Sequence, residues 1–132
     1  HSAVVTWHPN KDIDSFLVRT RLVVTLKMVN PHTAVICGPD DQVIDPIITA
    51  QAADTALDIE NVGASFAITR RNQDTIGISA RSMGKINVQI IMEKLGGGGH
   101  LSNAATQIKG ITVDEARKKL LAAIDEYENE NE

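Results

Sequence analysis

Four consecutive glycines, Gly96 to Gly99, stand directly before His100 and follow an apolar, helix-like run from Ile86 to Leu95. Glycine commonly ends a helix, so this run predicts a helix end and then a loop. Without Cβ atoms, successive glycines can turn their backbone N–H groups toward one point, which suits a phosphate. His100 can add a hydrogen bond or, when protonated, a charge. A flexible surface linker is the alternative interpretation of the same run.

The rest of the chain predicts helices alternating with strands. The predicted strands, which are rich in β-branched residues or alternate in polarity, are residues 22–29, 33–37, 64–71, 75–81 and 104–108. The predicted helices begin near Asp12, Asp45, Asn87 and Thr112. This order indicates an α/β (α+β) domain with a mixed β-sheet of about five strands and helices packed on it. The domain is expected over residues 12–127, between a remnant of a preceding segment or of cloning (1–11) and an acidic tail (128–132) that frays.

Composition narrows the function classes. The chain of 132 residues suits one domain, and it has no apolar run long enough to span a membrane and no recognisable signal peptide. Its single cysteine, Cys37, lies in an apolar run and is expected to be part of the core. Five acidic residues lie in 125–132, and the remaining chain carries 13 basic and 12 acidic residues. A nearly neutral body does not favour binding to long nucleic acid, although a few cations can hold a small anion.

One predicted strand carries a possible anion site. Side chains alternate along a strand, so Ser79 and Arg81 point to one face, and Gly77 leaves space beside them. A hydroxyl and a guanidinium on one face can bind an anion through two hydrogen bonds. The same alternation predicts that Phe66 and Ile68 of the neighbouring strand face the core, while the opposite face is polar. An ordinary exposed strand face remains the alternative.

Three segments together resemble a known domain. They are Ile76-Gly77-Ile78-Ser79-Ala80-Arg81-Ser82, the helix from Asn87-Val88 to Glu93-Lys94-Leu95, and Gly96-Gly97-Gly98-Gly99-His100 with Asn103-Ala104-Ala105. The chain resembles, over roughly residues 12–127, the DHH-associated domain that forms the C-terminal lobe of DHH-type phosphoesterases. Among these it is most similar to cyclic-di-AMP phosphodiesterases of the GdpP type.

The resemblance implies a substrate-binding lobe that grips a cyclic or short linear dinucleotide. It implies phosphate and nucleotide contacts from Ser79, Arg81, Gly97, Gly98, Gly99, His100 and Asn103. In this family a separate DHH domain of the same chain binds two Mn²⁺ ions and activates water. The resemblance also implies a parent protein anchored in the cell membrane, with this lobe on the cytoplasmic face, and permits a homodimer of that parent.

The family's Asp-His-His triplet does not occur in this sequence, so the chain alone is expected to be catalytically inactive. Three other functions remain open within the resemblance. They are the nucleotide-binding lobe of an oligoribonuclease that degrades very short RNA, a lobe of a single-strand exonuclease, and a tRNA-binding or oligomerisation appendage like that of alanyl-tRNA synthetases. The nearly neutral body disfavours the exonuclease, since a longer strand needs a basic groove with stacking aromatics.

Overall fold

The computed structural model describes residues 9–131, with side chains from Ile13 onward, so most of the segment 1–11 lies outside the described residues. The helices are α1 (Pro9–Val23), α2 (Pro46–Leu57), α3 (Val88–Lys94) and α4 (Val113–Glu130). The strands are β1 (Lys27–Asn30), β2 (Thr33–Cys37), β3 (Ala64–Arg70), β4 (Thr75–Ser82), β5 (Gly98–His100) and β6 (Asn103–Lys109).

The strands form one mixed sheet of six strands in the order β1-β2-β3-β4-β6-β5. Strands β2 and β3 are parallel and are joined through α2, whereas the other neighbours are antiparallel. One core cluster joins α1 and α2 to one face of the sheet, and a second joins α3 and α4 to the opposite face. The predicted mixed α+β fold is confirmed, with one strand more than the predicted five because part of the glycine run pairs with β6.

Helix α2 begins as its sequence predicts and lies close to the sheet. Asp45 caps it by accepting a hydrogen bond from the Ile47 N–H at 2.7 Å, and Pro46 follows at the first helical position. The residues that it buries are small, which lets the helix backbone approach the strands: Thr49, Ala52, Ala53 and Ala56.

The face of β3 that was predicted to be polar does carry Ser65 and Thr69, but it is buried under α2. Ser65 donates a hydrogen bond to the Ala53 carbonyl at 2.6 Å, and the hydroxyls of Thr49 and Thr69 lie 2.7 Å apart. A buried hydroxyl is tolerated when it has such a partner. The strand is therefore covered on both faces, and its short polar side chains connect it to α2.

The first helix is longer than predicted. Helix α1 already contains Asp12, so Asp12 is not its cap, and it continues to Val23, which leaves only Lys27–Asn30 of the predicted strand 22–29. Tertiary packing explains the extension, because Leu22 is 2% exposed and joins the core cluster of α2. Three apolar side chains near its start are exposed: Ile13, Phe16 and Leu17.

The acidic end of the chain continues the last helix to Glu130 and is not frayed there. Lys94 of α3 lies 2.9 Å from Glu126 and 2.8 Å from Glu130. The hydrogen bonds to Glu130 and Glu126 raise the pKa of Lys94. This link joins α3 to the part of α4 that was expected to fray.

Asp40, in the loop after β2, connects two other elements. Its Oδ1 accepts a hydrogen bond from the Val113 N–H at 2.8 Å and one from Arg70 Nη2 at 2.9 Å. Both hydrogen bonds lower the pKa of the Asp40 carboxyl below its usual range, and the bond from the Val113 N–H has the larger effect. A carboxyl of this kind stabilises the fold above its unfolded pKa of about 3.9, and that stabilisation is lost as the pH falls through the lower folded pKa.

We therefore expect Asp40→Asn to reduce the pH dependence of stability on the acid side. Between about pH 5 and pH 2, the urea midpoint of the wild type should fall more steeply than that of the variant. Asp41→Asn, which changes the neighbouring acid of the same loop, is the matched control and should behave like the wild type. Equal slopes for the wild type and Asp40→Asn would contradict this role of Asp40.

Candidate nucleotide-binding face

Strand register brings three of the predicted site residues into one row. His100 of β5 lies opposite Asn103 of β6, and Asn103 lies opposite Arg81 of β4. Directly opposed residues in antiparallel strands point to the same face, so these three side chains share one face of the sheet. The adjacent row contains Gly98, Ala105 and Ser79. We call this surface, defined by Ser79, Arg81, Gly98, His100 and Asn103, the site face.

The site face lies at the edge of the area that α2 covers. Helix α2 packs against β3 and β4, and Ser79 is only 4% exposed. Beyond it, His100 of β5 and the β6 residues of the same face are exposed: Asn103, Ala105 and Gln107. The result is an open sheet surface beside a helix, on which a ligand has access to His100 and Asn103.

Arg81 is held between the sheet and α2. Its Nε lies 2.9 Å from Asp54 Oδ1, and its Nη1 donates a hydrogen bond to the Ala80 carbonyl at 2.9 Å. Its side chain is 16% exposed and that of Asp54 is 59% exposed. Within the part of the chain that the structure describes, no hydrogen bond uses Nη2 of Arg81. The guanidinium is thus oriented, and it keeps one nitrogen that can bind an anion.

Two of the four glycine N–H groups donate hydrogen bonds to carbonyl groups of α3 and so do not point toward a shared anion position. The Gly96 N–H donates a hydrogen bond to the Glu93 carbonyl at 3.1 Å, and the Gly97 N–H donates one to the Met92 carbonyl at 2.8 Å. The predicted helix end is therefore confirmed, whereas the expected convergence of all four N–H groups is wrong. Strand β5 forms the edge of the described sheet, so one side of its backbone faces no other strand.

The glycines of the run differ in the space around them. A Cβ on Gly97 would overlap β6, since it would lie 2.7 Å from Thr106 Cα and also meet the Ala105 carbonyl oxygen. Gly99 has a φ of +142° and a similarly close approach to Ala104. Gly98 has nothing within 4 Å of its Cβ position. The fold thus needs glycine at 97 and 99, whereas at Gly98 it leaves open space on the site face.

The structure brings together Ser79, Arg81, Gly98, His100 and Asn103, and it turns Gly97 and Gly99 toward β6. Sequence analysis did not identify the role of Asp54. Its position 27 residues before Arg81 gives no local signal of the ion pair.

No group of three or more His, Cys, Asp or Glu side chains is placed to hold a metal ion among the described residues. The described residues thus do not fit a manganese site. None of the helices in the described range is both long and apolar enough to cross a bilayer.

A cavity of about 410 Å³ lies away from the site face, between β1, β2 and the start of α4. Lys27, Cys37, Asp40 and Arg117 are among the residues that line it. Burial raises the pKa of the Cys37 thiol, so the thiol stays protonated near neutral pH. Cys37, which was expected to be part of the core, is half-buried and packs against the core cluster of α3 and α4.

The profile of the DHHA1 domain family matches residues 24–130. The chain is 56% identical, over 117 residues, to the cyclic-di-AMP phosphodiesterase PdeA of Listeria monocytogenes, covering 89% of this chain and 18% of that protein. It is 48% identical, over 117 residues, to the cyclic-di-AMP phosphodiesterase GdpP of Bacillus subtilis, covering 87% of this chain and 18% of that protein.

A solved structure of an exopolyphosphatase-related protein from Bacteroides fragilis matches with a TM-score of 0.76 at 22% identity, covering 92% of this chain and 36% of that one. At this identity the likeness shows a shared fold. The chain spans only 18% of the length of the two phosphodiesterases that it resembles.

Proposed function

Because the chain belongs to the DHHA1 domain family, we propose that it is the substrate-binding lobe of a cyclic-di-AMP phosphodiesterase. In the longer protein, one water is added across one of the two phosphodiester bonds of the ring, which leaves a 3′-hydroxyl and a 5′-phosphate. The product is then linear pApA. The names of the two relatives support this substrate class.

The observation that carries the proposal is the row of His100, Asn103 and Arg81 on an open sheet face. Arg81 supplies a fixed positive charge and a free Nη2, which suit a phosphate oxygen. Asn103 and His100 add hydrogen-bonding groups for phosphate or ribose. These groups bind and orient the dinucleotide, and holding a reactant in one geometry is itself a large contribution to catalysis.

The catalytic metal ions, two Mn²⁺ by resemblance to the family, belong in this proposal to a separate DHH domain of the longer chain. When bound there, they supply an activated water. This lobe alone is therefore expected to be inactive. In the same proposal the parent is anchored in a membrane with this lobe on the cytoplasmic side, and it can form a homodimer.

Titration calorimetry of this chain tests the proposal directly. We expect micromolar to millimolar binding of cyclic-di-AMP or pApA, and its loss in the Arg81→Ala, His100→Ala double variant. A hydrogen bond to a charged group contributes about 1.5–3 kcal/mol, so the Arg81 change alone should weaken binding roughly 10- to 100-fold. Arg117→Ala, at the opposite edge of the sheet, is the matched control and should bind like the wild type.

Two results would contradict the proposal. One is the absence of dinucleotide binding by the wild type, and the other is unchanged binding by the double variant. A tRNA and a short RNA are titrated in parallel. Tight tRNA binding without dinucleotide binding would support the appendage function, and a preference for the short RNA would support the oligoribonuclease.

A further inference from the structure

Arg71, which directly follows β3, has a guanidinium group whose Nε is buried. Among the buried side-chain nitrogen and oxygen atoms of the described residues, this Nε is the one without a hydrogen-bond partner. A buried donor without a partner costs about 1–3 kcal/mol, so its persistence calls for an explanation. The Nε atom itself is closed to solvent, but Arg71 as a whole residue is only partly buried, so an anion beside the guanidinium would compensate its charge.

The guanidinium of Arg71 lies on the site face. It covers Gly77, where a Cβ would come within 2.8 Å of Arg71 Cζ. Gly77, Ser79 and Arg81 alternate along β4 and share one face, so Arg71 and Arg81 stand at the two ends of the same strip of strand. With a rise of about 3.3 Å per residue, the Cα atoms of Gly77 and Arg81 are about 13 Å apart.

The charge of Arg71 has no direct counter-ion in the described residues. Asp45 is the acid whose charge acts on it, but the Asp45 carboxylate caps α2 through the Ile47 N–H. Asp54 pairs with Arg81 instead. Burial lowers the pKa of Arg71. A guanidinium remains charged at neutral pH, so an anion beside it is strongly favoured.

We propose that Arg71 forms a second phosphate subsite, which binds the terminal 5′-phosphate of a linear dinucleotide while Arg81 binds the bridging phosphate. This inference rests on the proposed function. Ser79 lies midway between the two arginines along β4, and the Arg71 guanidinium lies over Gly77, which has no side chain to displace it. A terminal phosphate carries about −1.5 to −2 charges at pH 7, more than a bridging diester, so it gains most from a desolvated cation.

The test compares pApA with ApA, which lacks the terminal phosphate, and measures the ratio of their dissociation constants by calorimetry. We expect the wild type to favour pApA at least tenfold. Arg71→Gln should bring the ratio close to one and leave the affinity for ApA within about twofold. Arg71→Lys keeps the charge and should retain an intermediate ratio. Arg81→Gln should weaken both ligands, and Arg117→Gln, the matched control, should change neither.

The outcomes separate this inference from the proposed function. If the wild type binds both ligands equally, or if Arg71→Gln keeps the wild-type ratio, the inference is overturned and the proposed function stands. If the wild type binds neither ligand, the proposed function fails and the inference fails with it. Melting curves of each variant show whether the fold is retained. If Arg71→Gln does not fold, the ratios of dissociation constants measured for Arg71→Lys and for the wild type decide whether the inference holds.

Discussion

Gly97→Ala is expected to destabilise the protein by about 3 kcal/mol, at the upper end of what overpacking usually costs. For a domain of this size that corresponds to a fall in melting temperature of roughly 10 °C. The cause is the closeness of β5 to β6, since the added Cβ would overlap the Ala105 carbonyl oxygen and lie 2.5 Å from Thr106 Cβ. Both groups belong to a paired strand that cannot move without disturbing its register with β4. Thermal unfolding followed by circular dichroism measures the effect.

The neighbouring glycine provides the control. Gly98→Ala adds the same methyl group one residue later, where nothing lies within 4 Å. Its melting temperature should stay within about 2 °C of the wild type, because a surface substitution usually changes stability by less than about 0.5 kcal/mol. Equal destabilisation by the two variants would show that the run needs glycine for flexibility and not for close packing.

Gly98→Val is expected to weaken dinucleotide binding strongly while leaving the fold intact. Gly98 is in the row of Ser79 on the site face, beside the row that contains Arg81 and His100. Glycine permits close approach of the backbone to a ligand, and a branched side chain here would occupy that space. We expect the affinity for pApA or cyclic-di-AMP to fall at least about tenfold, which corresponds to about 1.4 kcal/mol. Calorimetry with the same ligands measures the loss.

Stability separates this effect from misfolding. Valine suits a strand better than glycine does, so the melting temperature of Gly98→Val should equal or exceed that of the wild type. Gly98→Ala should weaken binding less than Gly98→Val, in the order of side-chain size. Full affinity in Gly98→Val would show that the ligand does not approach this part of β5, and the contribution of the glycine run would then reduce to positioning His100.

Local chemistry made much of the fold predictable. Each of the helices α2 and α4 begins at a capping pair whose two residues are close together in the sequence. The pairs are Asp45 with Pro46, and Thr112 with Glu115. The alternation along β4 correctly predicted that Ser79 and Arg81 share a face. Each of these signals depends on groups close together in the chain, and tertiary packing did not override them.

Predictions failed where the decisive partner is distant in sequence. Glycine has little strand preference, so the residues of β5 were expected to form a loop, and they become a strand only because β6 is available to pair with them. The burial of Ser65 and Thr69 depends on α2, whose backbone and hydroxyl groups provide their hydrogen-bond partners. The exposure of the apolar side chains at the start of α1 likewise depends on which other elements pack against this helix.

The sequence alone therefore determined which side chains share one strand face, because the twofold repeat of an extended backbone is a local property. Only the tertiary structure decided that Asn103 and His100 continue the row of Arg81, that Asp54 orients its guanidinium, and that Arg71 covers Gly77. Those relations follow from the register between strands and from the packing of α2 on the sheet. Both are set by the burial of the two cores, to which residues from the whole chain contribute together.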